Sequence, residues 1–428
     1  MPANAAPRCV RKDAFASKLA PTGGLHIRNN NSAPFPEETA MSNNPFTQQL
    51  QGVRVLDLSR VLAGPHCTAM LADLGADVIK FEVPGHGDDS RHLGPFKDGE
   101  SVYFGLINRG KRSVEMDFKS AQDLALLYEL VRDADVVVEN FRPGVTRRLG
   151  IDFDTLKQYN PRLIYASISG FGQHGPLSNK PAYDIVAQAM SGLMSVTGFA
   201  ETGPTRSGES IGDLCAGVYA AWAISSALFA RERHTPGAQF IDVAMFDVLF
   251  SLQMTGLSNL FAHGVAPGLV GNRHPVSTPF DTYSAADGQV VIAVASDKLF
   301  QRLCQCMGKP EQANDPLFAE DPQRTLNEPA LRAQIEHWTR QLSVEQACDI
   351  LLDAGVPSSP VWNLAQAADS EQAHARQLLI RPEGAAQPLV PQPVFFNGHK
   401  PHAVTLAPRL GADNAAFGMN KQELSHEL

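Results

Sequence analysis

Three groups of residues in this chain have types and spacing that chemistry can use. Gly208-Glu209-Ser210-Ile211-Gly212 has the G-x-S-x-G form of a serine-hydrolase elbow, in which a buried strand runs directly into the nucleophile turn and a helix follows. What precedes it, Gly203-Pro204-Thr205-Arg206-Ser207, reads as loop rather than strand, so the glycines serve a tight turn equally well. One residue further on, Asp213 opens an apolar helical stretch. A carboxylate there can favour the helix start through its free N–H groups and dipole. Alternatively, it is a carboxylate held against an otherwise apolar helix, with Gly212 and Gly217 letting a ligand backbone approach. Asp184 follows the turn Lys180-Pro181-Ala182-Tyr183 and poses the same choice. His174 is a loop residue available as a base. Arg142, Arg147, Arg148 and Lys180 form either a solvated surface or a set that holds phosphates.

The elements that must position these groups follow from hydrophobic runs. Residues 53–58, 77–83, 112–118, 135–141 and 162–172 are short apolar or β-branched runs that read as buried strands. Helical stretches at 64–74 and 121–134 lie between them. The first opens on Gly64-Pro65 and ends at Gly75, the expected placement of Pro and Gly at helix ends. Strands alternating with helices predict a parallel sheet covered on both faces. Beyond Gly172 the pattern turns helical, at 183–194 and 213–231. Residues 240–252 fit strand or helix, and 264–279 are rich in Gly and Pro. A strand at 289–296 and another near 354–361 predict a smaller α+β unit. The expected organisation is α/β: an extension at 1–45, a large domain at 46–230, a linker at 231–274, a small domain at 275–355, and a return to the large domain at 356–428.

Composition narrows the function. The 428 residues are 43% hydrophobic and 19% charged, with a net charge of −9. That is globular composition without the overall basic charge of a nucleic-acid binder. No 18-residue apolar run is present, so no membrane span is expected. Six scattered cysteines lack the spacing of a zinc site or disulfide framework, which fits a reducing, cytoplasmic setting and no bound metal. Residues 1–45 show no apolar periodicity and carry Arg8, Arg11, Lys12, Lys18 and Arg28 against few acids. They read as a non-structural extension or, failing that, a transit peptide, with Met41 as a natural start. The first strand–helix junction, Ser59-Arg60-Val61-Leu62-Ala63-Gly64-Pro65, lacks the G-x-G-x-x-G of a dinucleotide site, although a helix start there still suits an anion.

From about residue 50 to 411 the ordered blocks GVRVLDLSRVLAGP, LGADVIKFEVPGHGD, NRGKRSVEMD, DVVVENFRPG, NPRLIYASISGFGQHGP, PAYDIVAQAMSG, GDLCAGVYA, GAQFIDVAMFD, AGVPSSPV and APRLG resemble family III CoA-transferases of the CaiB/BaiF type. The resemblance implies a large and a small domain and two chains interlocked as a homodimer. It implies acyl-CoA and small carboxylic acids as substrates, with no cofactor, and a nucleophilic aspartate at Asp213. CoA contacts carry over onto Leu62, Ala63, Met116, Lys119, Asn140, Arg142 and Arg148, and onto Pro181 through Tyr183 and Asp184. Related racemases carry His where Tyr183 stands, and a phenol with a reference pKa of about 10 is a poor base at neutral pH. Formyl-CoA transferases carry Gln at the place of Leu62 and a basic residue at that of Val83. Both departures weaken a formyl/oxalate assignment, and RVLAGP instead resembles the branch that uses succinyl-CoA and dicarboxylates. The start of a helix is expected to keep Asp213 ionised against the effect of burial. The alternatives that the residues leave open are an acyl-CoA racemase, a serine hydrolase and an inactive CoA-binding protein.

Overall fold

The structure, a computed structural model, describes residues 48–234, 236–400 and 405–419. The extension at 1–45 lies outside them. Six parallel strands form the main sheet: β1 (Arg54–Asp57), β2 (Asp77–Glu82), β3 (Arg112–Glu115), β4 (Val136–Glu139), β5 (Ile164–Ser169) and β6 (Gln239–Ala244). Their order is β6-β5-β4-β1-β2-β3. Successive side chains point to opposite faces, so each strand feeds two cores. Val136 and Val138 join Val55 and Ile164 on one face, while Val137 joins Leu56 and Ile79 on the other.

The first face is covered by α1 (Ala63–Asp73) and α4 (Ile211–Arg233), the second by α2 (Ala121–Arg132). Between them in sequence, α3 (Asp184–Met190) leads toward α4. The helix expected over 183–194 stops early, because Gly192 takes a left-handed φ of 91° before a separate turn at Leu193–Val196. Where α4 crosses α1 its residues are small. Ala216 and Ala220 are fully buried, and a Cβ on Gly217 would come within 2.7 Å of the Ala63 carbonyl oxygen. Gly217 therefore serves helix contact rather than substrate approach. Among the described helices, α4 is the one long and apolar enough to span a membrane. Its Ala216, Ala220 and Ile224 are buried against the sheet and α1.

Residues 231–274 are not a linker. They hold β6, then α5 (Met245–Ser251) and α6 (Met254–His263). The ambiguous run 240–252 is both strand and helix, joined directly at Ala244–Met245. Gly and Pro are enriched only further on, past residue 264. A second hydrophobic core gathers around an antiparallel sheet of β7 (Phe280–Ser284), β8 (Gln289–Ala293) and β9 (Ser358–Pro360), with α7 (Asp297–Cys306), α8 (Glu328–Thr339) and α9 (Val344–Asp353).

Candidate active site

Strand order reverses between β1 and β4, and residues following these two strands line a crevice there. Ligands in open α/β sheets bind at such a switch point, beyond the carboxyl ends of the strands. The loop after β1 is fastened along its length. Asn140 accepts the Arg60 N–H at 2.7 Å and donates to the Arg60 carbonyl at 2.7 Å. Asp88 Oδ1 accepts the Val61 N–H at 3.2 Å, and Lys80 donates to the Ser59 carbonyl at 2.9 Å. At the loop's far end, Lys111 Nζ reaches the Pro65 carbonyl at 2.9 Å. Val61 sits in the left-handed region at φ 67°, a strained conformation for a β-branched residue that the surrounding bonds impose.

Beneath the loop lies a fully buried ion network. Lys111 and Thr68 bind Asp57 Oδ2 at 2.9 and 2.7 Å, and Ser59 binds Oδ1 through its hydroxyl and N–H. Lys80 pairs with Asp88 at 2.8 Å. Glu82 takes both arms of Arg91, each at 2.7 Å. Burial alone raises the pKa of Asp57, but the two lysines and two hydroxyls outweigh it and hold the carboxyl below its ordinary value.

A cleft of about 240 Å³ opens on this loop, and six of the predicted site residues line it: Leu62, Ala63, Asn140, Arg142, Tyr183 and Asp213. Asp213 stands in the first turn of α4 and is partly buried. Among the described residues no donor is bonded to its carboxylate. Burial, and secondarily the nearby Asp184, push its pKa up to about 7. The expectation that the helix start keeps Asp213 fully ionised thus gives way, because desolvation and a like charge outweigh the first-turn dipole. Met116, Lys119 and Arg148 line a second cleft of about 470 Å³. Arg60 and Phe141 line both clefts, with the guanidinium 5.3 Å from the ring centroid.

Two predicted residues have other positions. Asp184 is buried and lines neither cleft; its Oδ1 accepts the Gly212 N–H at 2.7 Å. A Cβ on Gly212 would lie 2.9 Å from that oxygen and 3.1 Å from Leu249 Cδ1, so this glycine, too, answers packing. His174 lines neither cleft. Ser210 caps no N–H, and loop separates it from the short strand Gly203–Pro204, so the elbow context of a serine hydrolase is missing. Sequence reading passed over Arg60, although a basic residue between the first strand and its helix was the available signal. It also passed over Tyr103, whose half-buried hydroxyl has its pKa raised to about 12 by burial first and then by Asp213, Glu209 and Asp88. No local pattern marks that tyrosine.

The sequence model of CoA-transferase family III matches residues 50–414. The acetyl-CoA:oxalate CoA-transferase of Acetobacter aceti is 47% identical over 380 residues, covering 88% of this chain and 96% of that protein. The succinyl-CoA:mesaconate CoA-transferase of Haloarcula hispanica is 41% identical over 339 residues, covering 77% of this chain and 84% of that protein. Among solved structures, a CaiB/BaiF family protein from Brucella suis matches with a TM-score of 0.78 at 37% identity, covering 87% of this chain and 99% of that one.

Proposed function

This chain belongs to CoA-transferase family III, and we propose that Asp213 is the carboxylate through which it moves CoA from an acyl-CoA thioester to a small dicarboxylic acid. The observation that carries this reading is the setting of Asp213. It is a partly buried carboxylate with no donor bonded to it among the described residues, in a crevice that it shares with Arg60, Arg142 and Lys180. Oxalate and mesaconate, named for two relatives, are both dicarboxylic acids, and a cleft with three cationic side chains suits such acceptors. The Leu62 and Val83 departures had pointed away from oxalate, and the Acetobacter aceti relative removes that restriction. The acyl end of the donor belongs beside Asp213. The longer remainder of CoA follows Arg60 and Phe141 toward Met116, Lys119 and Arg148.

The Asp213 carboxylate attacks the thioester carbonyl, the C–S bond breaks, and CoA thiolate leaves a mixed anhydride. The thiolate then attacks the aspartyl carbonyl and expels the donor acid, leaving an aspartyl-CoA thioester. The acceptor carboxylate attacks that thioester and releases thiolate again. Attack of the thiolate on the acceptor carbonyl frees Asp213 and yields the new acyl-CoA. Covalent catalysis divides one difficult exchange into these steps. Partial burial strips water from the nucleophile and protects the anhydride from hydrolysis.

We also propose a second copy of this chain as the cover for one apolar face of α4. Val218, Trp222 and Phe229 lie along that face and are 43%, 67% and 61% exposed. The interlocked homodimer of the family is the arrangement we expect, and a Trp222→Glu variant that sediments as a monomer would support it.

Incubation with acetyl-, formyl- or succinyl-CoA, followed by hydroxylamine and peptide mapping, tests the chemistry. A hydroxamate on the Asp213 peptide, absent in Asp213→Asn, is the expected result. An adduct on Ser210 sinks the reading in favour of a hydrolase. Tight CoA binding with no adduct from any thioester sinks it in favour of a racemase or an inactive binder.

A further inference from the structure

The helix that carries Asp213 is not capped by its own sequence. Ser210 occupies the N-cap position of α4 and makes no side-chain bond to the first turn. Four N–H groups at a helix start need partners from elsewhere. One of them, on Gly212, is taken by Asp184 Oδ1 at 2.7 Å, across the gap between α3 and α4. Asp184 is 6% exposed. Its other oxygen accepts from Gln188 Nε2 at 2.6 Å. Gln188 then accepts the Ser207 N–H at 2.9 Å and reaches the Glu209 carbonyl at 3.4 Å. One acid and one amide on α3 therefore tie down both the loop that enters α4 and the first turn of α4 itself.

We propose that Asp184 is a positioning residue for CoA transfer: it caps α4 from the neighbouring helix and so aims the Asp213 carboxylate. The inference rests on the reading of Asp213 as the nucleophile.

Asp184 also carries a charge beside Asp213, and the cap and the charge are separable. The cap fixes the backbone on the residue next to the nucleophile, and small misplacements of a reacting group are costly. The charge acts through space. Burial is the larger cause of the raised pKa of Asp213, and Asp184 is the neighbouring charge that adds to it. Other titratable or charged groups surround the pair. Glu209 lies on the entering loop; α5 packs Leu249 against Gly212, and its Asp247 has Asp242 as its charged neighbour. Tyr103 approaches from the helix Val102–Ile107. Arg60, Arg142 and Lys180 line the cleft itself. Among the acids, Asp184 alone both bonds to the Asp213 turn and acts on its charge.

The test compares Asp184→Asn with Asp184→Ala in the full-length enzyme, using acyl-CoA and acceptor at saturating and limiting levels across pH. Asparagine keeps an acceptor for Gly212 but no charge; alanine keeps neither. Asp184→Ala is expected to lose roughly 10- to 100-fold in kcat with little change in the KM for acyl-CoA. Asp184→Asn is expected to recover part of that loss. In both, the acid limb of kcat/KM moves to lower pH, since removing the charge makes Asp213 easier to ionise. Gly212→Ala reaches the same contact from the other partner, because its Cβ would intrude on Asp184 Oδ1. It is expected to lower kcat while circular dichroism stays native. Overlaid pH profiles for wild type and Asp184→Asn, or equal kcat in Asn and Ala, would overturn the proposal. Hydroxylamine trapping on wild type keeps the premise separate. No Asp213 adduct in wild type defeats the nucleophile reading, whereas an adduct with an unshifted Asp184→Asn profile defeats this inference alone.

Discussion

Asp57 and Asp213 carry the same side chain at the same switch point, and their surroundings are opposite. Asp57 lies beneath the loop 58–62, fully buried, with Lys111, Thr68 and Ser59 on its oxygens. Asp213 lines the cleft that this loop borders, and among the described residues no donor is bonded to its carboxylate. Burial raises both carboxyls. Partners return Asp57 below its ordinary value, whereas for Asp213 burial stands uncompensated and a second acid adds to it, giving a pKa of about 7. A buried carboxylate ringed by donors is saturated, and it holds a loop in a strained shape. One lacking donors keeps its lone pairs for an electrophile, at a cost to the stability of the fold.

The strongest way to break this contrast is to neutralise each carboxylate in turn. Asp213→Asn should lower transfer on the order of 10³-fold or more in a coupled thioester assay, with its circular dichroism unchanged. If Asp213→Asn keeps most of its activity, Asp213 is not the reactive member of the pair. Next in size is the buried network. Lys80→Met removes one cation from between Asp57 and Asp88, and should destabilise the fold by about 3–5 kcal/mol in urea. A change of a few tenths would mean that the network is not what holds the loop.

The pH dependence of stability then separates the two carboxyls by sign. The folded-state pKa of Asp213, at about 7, exceeds that of an unfolded aspartate. Its contribution is therefore full below the unfolded value and is lost as pH rises through 7. Asp213→Asn should accordingly gain on wild type by up to about 4 kcal/mol at pH 8 and gain little at pH 4. Asp57 is shifted down, so its contribution is present above the unfolded value and is lost as pH falls below it. Equal gains at pH 4 and pH 8 for Asp213→Asn would contradict the raised pKa. Smallest is Gly217→Ala, whose Cβ would meet the Ala63 carbonyl oxygen at 2.7 Å. Overpacking there should cost about 1–3 kcal/mol, read as a lower Tm. An unchanged Tm would show that α1 and α4 can separate freely.

Much of the main sheet is legible along the chain. β1, β2, β4 and β5 are largely apolar or β-branched runs bounded by Gly, Pro, Asn and Asp, α1 is followed by Gly75 in a left-handed conformation, and α2 opens on the Ser120 cap. β6 is not legible as a strand, because FIDVAMFDVLFSL passes from strand to helix at Ala244–Met245 with no breaker between them. The site divides in the same way. Asp213 is marked by its place after Gly212 at the head of an apolar helix, Leu62, Asn140 and Arg142 lie on strand-end loops, and Ala63 opens α1. Tyr103 is an ordinary tyrosine in its own segment and comes within electrostatic range of Asp213 only through packing. Asp184 reads as a residue that opens its own helix, yet its carboxylate is bonded to the start of another.

The sequence by itself determined the layered α/β pattern and the family, and through the family's motifs it pointed to Asp213, because periodicity, helix-end chemistry and ordered motifs are local properties of a chain. Which carboxylate is ringed by donors and which is left without them was decided only by the tertiary structure. Desolvation and pairing depend on what other segments bring within a few ångströms: Lys80 and Lys111 beside Asp57, and Asp184 beside Asp213.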